Sequence, residues 1–517
     1  DAGSTQKTVE LWETLAARPH PAEGSEIALL ALAKKKGLKS ERAYPYLRAL
    51  WAYYPTSEEA DRSASALTAL EAKGSAYRPS LSDMARHGDA LMQAGHVKSA
   101  IRYLSPRLER FAKPSPSSCM ARYAYGRSNF KTNQITRASI VLTRSGRECP
   151  GIDDDRGAKS LYLAGKSLER KKEWTEAAKV YEMIPELYPE HSMADDGYAL
   201  AGIAWQEVGR HEHAQTLWER QVARYPDGDL AAEGFWRLAW TAYLAGDTPA
   251  AIAWAEQMIA QVPVETSPMH WMGAHYWSAR WRIYPSVDDP TTKNSDEDEV
   301  AVGISLLLDL CERYPSRFYS LLAAARLYEL VPERVSQIER PAPAGHPSVW
   351  TVRDDFLSEV AVQHGLQLAR LGLISEAMLE LKSVPQAVLL PSEVALITEI
   401  ERELDWTGAH DRLHKYLLHH PAAELGPDRD RILREAFPDS YWDVIVEVSD
   451  GYRYDPRIFH SLVREESSFN PKIVSWAGAR GLSQLMPATA RQVAGWLGIS
   501  ISDSKMFDPK TNLAIGT

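Results

Sequence analysis

The stretch that decides the fold begins at Tyr162 and reads YLAGKSLERKKEWTEAAKVYEMIPELYPEHS, and a related stretch begins at Tyr198 and reads YALAGIAWQEVGRHEHAQTLWERQVARYPDGD. Matching residues lie 37 positions apart: Tyr188 and Tyr225, Ala177 and Ala214, Ala214 and Ala251, and Gly209 and Gly246. A period of this length, close to the roughly 34 residues of tetratricopeptide repeats, is typical of solenoids built from helix pairs. The repeat therefore predicts an α-helical superhelix.

The repeated residues have mechanical roles in a helix pair. Glycine accepts the positive φ of a helix end, so Gly209 and Gly246 should end the first helix and let the chain reverse. The recurring alanines should lie where the second helix crosses the first, because a small side chain lets the axes approach closely. Tyr-Pro should end the second helix, since proline disfavours the α conformation in the preceding residue and has no N–H.

The same reading extends over residues 1–440, which are rich in helix formers and poor in strand-type alternation. Tyr-Pro pairs at Tyr54 and Tyr314 predict degenerate repeats on both sides of the central ones. The acidic stretch Ser286 to Glu299 and the proline-rich stretch Pro341 to Pro347 are predicted to be exposed loops. We expect an all-α chain.

Composition excludes several classes of protein. The 59 Lys and Arg against 69 Asp and Glu give a net charge of −10, which argues against nucleic acid as a partner. No apolar run approaches the roughly 18 residues of a membrane span. Three cysteines are too few for a disulfide-dense scaffold or a CxxC metal site. Cys119 and Cys149 either pair in an oxidising compartment or remain free thiols, as we expect of Cys311.

Most candidate chemistry in the repeat region fails on spacing. Two groups of histidines occur: His211 and His213 flank Glu212, and His414, His419 and His420 lie close together. Neither group combines the spacing and the carboxylate neighbours of a metal site. The sequence has no P-loop, no GxGxxG after a strand and no GxSxG. We therefore expect no metal and no cofactor.

A helix near the C-terminus carries a better candidate. Asp455-Pro456 is a good helix start, with an N-cap residue followed by proline. Helical spacing groups the apolar residues Ile458, Phe459, Leu462 and Val463. Glu466 falls in the middle of this predicted stripe, while Glu465 falls off it. An apolar environment disfavours the charged form of a carboxyl group, as general-acid catalysis near neutral pH requires. A last turn in which Glu466 simply reaches solvent is the alternative, and helix geometry does not choose between the two.

The residues that follow resemble the catalytic domain of the soluble lytic transglycosylases. The matching motifs are Glu466-Ser467-Ser468-Phe469-Asn470-Pro471, Ser475, Gly478-Ala479, Gly481-Leu482-Ser483-Gln484-Leu485-Met486-Pro487, Thr489-Ala490 and the stretch from Asp508 to Thr517. The repeat region also resembles the superhelix of that family, less specifically. The resemblance implies two domains: a superhelix over 1–440 and the N-terminal part of a lysozyme-like domain over 441–517.

The resemblance further implies cleavage of the β-1,4 bond between N-acetylmuramic acid and N-acetylglucosamine in peptidoglycan. Glu466 matches the catalytic acid and base, and the muramoyl C6 hydroxyl serves as nucleophile, giving 1,6-anhydro products without water. Ser467 is expected to steady Glu466 or to cap its helix. Residues expected to bind substrate are Ser475, Gln484, Met486 and Thr489.

Two departures from the family bear on this reading. Ser483 stands where the family usually has methionine, and the later motif that contains tyrosine is absent, so the catalytic domain is expected to be incomplete. The alternatives are a repeat scaffold that binds cell-wall enzymes beside an inactive remnant, and a lysozyme-type hydrolase. Expected partners are peptidoglycan glycan strands and, through the repeats, other cell-wall enzymes. The expected location is the bacterial periplasm.

Overall fold

The computed structural model describes residues 2–17, 24–74, 78–314, 317–334, 350, 352–385, 389–403, 409–420, 428–475 and 477–517. In these ranges the regular elements are helices, and the β structure consists of isolated bridges. The expected all-α fold is confirmed. The chain forms two compact units, Asp1–Val262 and Pro263–Thr517. The functional boundary expected near residue 440 stays a prediction.

The first unit is a series of helices in which each packs on its neighbours in sequence. Its helices are α1 (Ala2–Ala16), α2 (Ser25–Lys35), α3 (Tyr44–Tyr53), α4 (Glu58–Glu71), α5 (Leu81–Gln93), α6 (Val97–Leu104), α7 (Pro116–Lys131), α8 (Ile135–Glu148), α9 (Asp154–Arg170), α10 (Trp174–Leu187), α11 (Ala194–Glu207), α12 (His211–Arg224), α13 (Ala231–Leu244) and α14 (Thr248–Gln261). Short 3₁₀ helices occupy Glu41–Ala43 and Ser105–Phe111.

The reversal inside each helix pair uses a residue with positive φ, as the sequence predicts for Gly209 and Gly246, whose φ angles are 75° and 83°. The equivalent position one repeat earlier is Lys172, which adopts the same conformation at φ 60° without being glycine. The backbone bonds are alike in the two turns: Arg210 N donates to Trp205 O, and Glu173 N donates to Leu168 O. The turn geometry is therefore repeated even where its preferred residue is not.

The close approach within a pair involves two further glycines, Gly165 and Gly202, which also lie 37 positions apart. A Cβ at Gly165 would lie 2.3 Å from the ring of Tyr181, and one at Gly202 would lie 2.3 Å from Trp218 Nε1. These two contacts are equivalent in successive repeats. The recurring alanines are fully buried, as expected. An aromatic ring of the second helix thus lies directly on the backbone of the first.

The helix ends follow the sequence prediction, and the structure decides the open question of the cysteines. Tyr188 and Tyr225 cap the ends of α10 and α12, as the Tyr-Pro pattern predicts. Cys119 of α7 and Cys149, which follows α8, form a disulfide with 5.9 Å between their Cα atoms. Cys311 is a buried free thiol.

The second unit contains α15 (Pro268–Ile283), α16 (Glu297–Arg313), α17 (Phe318–Leu330), α18 (Val360–Arg370), α19 (Ile374–Ser383), α20 (Pro391–Glu403), α21 (Ala409–His419), α22 (Arg429–Ala436), α23 (Trp442–Ser449), α24 (Pro456–Ser467), α25 (Pro487–Leu497) and α26 (Pro509–Gly516). Short 3₁₀ helices occupy Phe356–Ser358 and Lys505–Phe507. None of the helices in the described ranges is both long enough and apolar enough to cross a bilayer.

The two loops predicted in this unit have different outcomes. The acidic segment is largely exposed, but its last residues, Glu297 to Glu299, form the first turn of α16, because Asp296 caps that helix by accepting from Asp298 N and Glu299 N. Predicting a loop up to Glu299 was therefore wrong by three residues. The proline-rich segment from Pro341 to Pro347 lies outside the described residues.

Candidate active site

Helix α24 begins as the sequence predicts and carries the candidate catalytic residue in its last turn. The Asp455 side chain accepts a hydrogen bond from Arg457 N at 2.9 Å, and Pro456 takes the first helical position. The first N–H groups of a helix have no partner inside it. Asp455 accepts from one of them and Pro456 lacks an N–H, so together they fix the start of the helix. Glu466 follows ten residues later, one position before the helix ends at Ser467.

The structure corrects the predicted orientation of α24. The buried row is Phe459, Val463 and Ser467, which are 4%, 0% and 2% exposed. Ile458 and Leu462 are exposed, at 64% and 48%, and Glu466 shares their side of the helix. Of the two alternatives for Glu466, the structure shows the one in which the last turn reaches solvent, and the placement of Glu466 in an apolar stripe was wrong. Two adjacent rows of the helix each carry two apolar residues, Ile458 with Leu462 and Phe459 with Val463. The second row is buried because it packs on Ile445 and Leu513.

Glu465 and Glu466 are therefore both exposed at the end of α24. The Ser467 hydroxyl is buried and donates to Val463 O at 2.9 Å, one turn back in the same helix. This bond fits the helix-capping alternative for Ser467, and its action on Glu466 stays a prediction.

Several contacts hold α24 against the segment that precedes it. His460 Nε2 donates to Ser440 O at 3.1 Å, and burial lowers the pKa of His460 below its usual value. Arg464 Nη2 donates to Ala436 O at 2.9 Å, and its guanidinium lies 4.5 Å from the ring centre of Phe437. Side chains of α24 thus fix the helix to the segment before it, while Glu466 in its last turn stays exposed.

The chain leaves α24 through two consecutive residues in the left-handed conformation, Ser468 at φ 47° and Phe469 at φ 59°. Non-glycine residues adopt this conformation at a cost, which surrounding contacts must offset. Phe469 is 3% exposed, and its ring centre lies 4.8 Å from that of His460 and 5.5 Å from that of His410. Burial of this ring fixes the direction in which the loop departs from Glu466.

The loop over residues 473–485 is closed by backbone bonds. Arg480 forms antiparallel bridges with Val474 and with Leu485. Ser475 Oγ accepts from Ala479 N at 3.0 Å, and Gln484 Nε2 donates to Gly481 O at 2.9 Å. Both predicted substrate-binding side chains are thus tied to the backbone of their own loop.

Sequence reasoning missed Asn512, the residue that anchors this loop. Its side chain accepts from Ser483 N at 2.7 Å and donates to Arg480 O at 3.0 Å and Met506 O at 2.7 Å, and Asn512 is fully buried. Gly481 lies so close that a Cβ there would sit 2.4 Å from Asn512 Nδ2. The available signal was an asparagine next to the apolar residues of α26, an unusual choice for a buried position.

The remaining predicted residues stand at the start of α25. Met486 precedes this helix and is 44% exposed, and Thr489 is exposed in its first turn. The candidate residues thus lie on three elements: the exposed end of α24, a closed loop anchored by Asn512, and the exposed beginning of α25.

Three segments of the chain match known protein families. Residues 443–517 match the Transglycosylase SLT domain. Residues 159–191 and 200–265 each match a tetratricopeptide repeat family. The fold and the site therefore define a helical-repeat protein that carries a transglycosylase SLT segment.

The similar proteins narrow this class. A soluble lytic murein transglycosylase of Escherichia coli K12 is 37% identical over 87 residues, which are 16% of this chain and 14% of that protein. A transglycosylase of Enterobacteria phage PRD1 is 40% identical over 73 residues, covering 14% of this chain and 24% of that protein. The sequence matches thus span under a quarter of these relatives.

Solved structures extend the likeness over the whole chain at the level of fold. The lytic transglycosylase Slt of Pseudomonas aeruginosa superposes with a TM-score of 0.52 at 16% identity, covering 98% of this chain and 72% of that one. The 70 kDa soluble lytic transglycosylase of Escherichia coli gives 0.51 at 16% identity, covering 99% and 72%. The chain has the superhelical fold of the soluble lytic transglycosylases.

Proposed function

We propose that this chain belongs to an enzyme that cleaves the β-1,4 bond between N-acetylmuramic acid and N-acetylglucosamine in peptidoglycan without using water. The observation that carries the proposal is the place of Glu466 in the last turn of α24, inside the segment that matches the transglycosylase SLT domain. A bound glycan strand would shield this exposed carboxyl from water and so favour its protonated form, which the acid step requires. An exposed carboxyl at the head of an anchored loop can reach a polymeric substrate without rearrangement of the chain.

Glu466 would act twice in this reaction. As an acid it donates its proton to the departing glycosidic oxygen, and the C1–O bond breaks. As a carboxylate it then accepts the proton of the muramoyl C6 hydroxyl, whose oxygen forms a new bond to C1 and closes the 1,6-anhydro ring. The proton given in the first step is recovered in the second, so no water is consumed. One carboxylate suffices, because the nucleophile comes from the substrate, whereas most glycosidases need two.

The neighbouring residues would position the saccharide. Met486 and Thr489 are exposed at the start of α25 and are proposed to line the groove directly. Ser475 and Gln484 bond to their own loop, so we propose that they contribute by holding its backbone in place against the sugar. Ser467 would keep the last turn of α24 closed beneath Glu466.

The disulfide supports an extracytoplasmic location. Disulfides persist in oxidising compartments such as the bacterial periplasm. The Cys119–Cys149 bond lies in the first unit, and the relatives are named as murein transglycosylases of soluble and membrane-bound kinds. We therefore propose the periplasm as the location and peptidoglycan strands as the main partner, with other cell-wall enzymes as further partners of the repeats.

Product analysis tests the proposed function. Purified peptidoglycan is digested with the full-length protein, and the released fragments are analysed by mass spectrometry before and after borohydride reduction. We expect fragments that resist reduction and are lighter by one water molecule than hydrolytic products. Reducible muramic acid ends would instead identify a hydrolase. Intact glycan after digestion, with a known lytic enzyme active on the same material, would favour the scaffold alternative.

A further inference from the structure

A cavity of about 560 Å³ in the first unit has no part in the proposed reaction. It lies among the beginning of α2, the end of α3, the second half of α5 and the beginning of α9. Its volume is in the range of pockets that hold small molecules. With Met120 of α7, five helices of the first unit thus contribute to the cavity.

Two opposite charges line this cavity. Glu26 is in the first turn of α2, and Arg86 of α5 lies 5.3 Å from the ring centre of Tyr53. In the described part of the chain, neither the Glu26 nor the Arg86 side chain has a hydrogen bond or an ion pair. A ligand group of opposite charge would give each of these side chains a charge-assisted hydrogen bond.

A second pair of charges forms the rigid part of the wall. Arg156 Nη1 bonds Asp153 Oδ2 at 2.9 Å, and its Nη2 lies 3.5 Å from Asp89 Oδ2. Asp89 Oδ1 is buried and accepts no hydrogen bond in the described residues. The charge of Arg156 is therefore balanced by Asp153 and Asp89. Asp89 Oδ1 remains able to accept a hydrogen bond from a ligand.

The rest of the lining is mainly apolar and aromatic, with polar side chains at Thr56, Ser57 and Gln93. Tyr53 and Tyr54 contribute from the end of α3, Ala90 and Ala94 from α5 and its cap, and Met120 from α7. The alanines leave room on one wall, and the rings offer flat surface to small apolar groups. Of the four charged residues in the wall, Arg156 and Asp89 already lie against each other, so Arg86 and Glu26 are left to meet ligand groups of opposite charge on either side of the apolar surface.

We propose that this cavity binds a short peptide that carries both a free ammonium and a free carboxylate group around small apolar side chains. The carboxylate meets Arg86, the ammonium meets Glu26, and the apolar side chain lies against Tyr53 and Ala90. This inference rests on the cavity alone and stands apart from the proposed reaction at Glu466. Both cell-wall peptides and protein-derived peptides have this chemistry, and the handedness of the probe separates them.

The test is titration calorimetry of the full-length protein with D-alanyl-D-alanine and with L-alanyl-L-alanine. We expect saturable binding of at least one dipeptide, with the D form tighter if the ligand comes from the cell wall and the L form tighter if it comes from proteins. N-acetylation or C-terminal amidation should each weaken binding at least about tenfold, the size of one charge-assisted hydrogen bond. Absence of binding by both dipeptides, or equal binding of the blocked forms, would overturn the proposal.

Variants locate the binding. Arg86→Gln and Glu26→Gln should each weaken binding at least about tenfold, whereas Arg102→Gln, at an exposed arginine outside the cavity, should leave binding unchanged. Ala94→Trp offers an independent check, because Ala94 is exposed at the rim, where tryptophan would obstruct the cavity without changing charge. Circular dichroism verifies that each variant is folded. Unchanged affinity in folded Arg86→Gln or Ala94→Trp protein would contradict the assignment of the site.

Discussion

The repeat array at residues 159–265 and the loop at residues 468–485 are built by opposite means. In the array, the turns and contacts recur at a fixed spacing, as at Gly165 with Tyr181 and Gly202 with Trp218, so each depends on residues close in sequence. The loop is instead anchored by Asn512, about thirty residues away. Local patterns therefore determine the scaffold, whereas one distant residue determines the shape of the candidate site.

The sharpest test of this contrast separates chemistry from stability at the end of α24. Glu466→Gln should lower peptidoglycan cleavage by roughly 100- to 10,000-fold, the usual contribution of a general acid. It should leave the thermal midpoint almost unchanged, because Glu466 is exposed. Activity is measured by product release from purified peptidoglycan.

The adjacent Glu465→Gln is a matched control, since it removes the same charge from the same exposed turn. Its activity should stay close to that of the wild type. Retained activity in Glu466→Gln, or equal losses in both variants, would show that Glu466 is not the acid.

The second prediction concerns the distant anchor of the loop. Asn512→Leu leaves Ser483 N, Arg480 O and Met506 O without their present partner, and unsatisfied buried groups cost about 1 to 3 kcal/mol each. We expect a loss of about 3 kcal/mol or more in the free energy of unfolding of the second unit, measured by chemical denaturation. Hydrogen exchange at the Ser483 amide should become much faster.

Asn470→Ala is the control, because within the described residues this half-buried asparagine makes one side-chain bond, accepting from Lys472 N at 2.9 Å. It should cost less than about 1.5 kcal/mol. If the two asparagines cost the same, the loop does not depend on its distant anchor.

This difference between the two regions explains what could be predicted from the sequence. The 37-residue spacing was sufficient for the helix pairs, the Tyr-Pro ends and the turns at Gly209 and Gly246, since each follows from the conformational limits of glycine and proline. The orientation of α24 was not predictable, because the rows of Ile458 and Phe459 are equally apolar, and the choice depends on packing against Ile445 and Leu513.

The candidate site shows the same limit. The motif resemblance pointed to Glu466, Gln484 and Met486, and none of these depended on a calculation of packing. The bonds that tie Gln484 to Gly481 O, and the role of Asn512, require knowing which segments meet in three dimensions. A sequence pattern can indicate that a residue matters, but its hydrogen-bond partners follow only from the tertiary structure.

The third prediction concerns a group of carboxylates in the array that lowers its stability when charged. Asp196 lies beside Asp195 and Asp229, and burial together with these two carboxylates raises its pKa to about 6. Because the folded-state pKa is above that of the unfolded chain, the contribution of Asp196 to stability is fully present below about pH 4 and is lost as pH rises through 6. Asp196→Asn should therefore raise the unfolding free energy at pH 8 by about 1 kcal/mol, allowing for partial exposure.

The measurement is chemical denaturation of the first unit at several pH values between 4 and 8. Asp227→Asn is the control, since Asp227 is exposed and lies outside this carboxylate group. It should leave the pH dependence as in the wild type. A wild-type stability that does not fall relative to Asp196→Asn between pH 5 and pH 7 would contradict the prediction.

The smallest expected effect is the most direct test of the repeat rule, because it exchanges residues between two equivalent turns. Lys172 adopts φ 60°, where a side chain costs energy, whereas Gly209 adopts φ 75° and a Cβ added there would meet no heavy atom within 4 Å. Lys172→Gly should stabilise the first unit by about 0.5 kcal/mol. It removes the cost of a side chain at positive φ, and the greater freedom of glycine in the unfolded chain offsets part of that gain.

Gly209→Lys should destabilise the first unit by a similar amount, and the double exchange should be nearly neutral. Lys171→Gly, at a position with φ −88°, should only destabilise. If Lys172→Gly destabilised the protein as Lys171→Gly does, then contacts of the lysine, rather than the backbone geometry shared by successive repeats, would determine this turn.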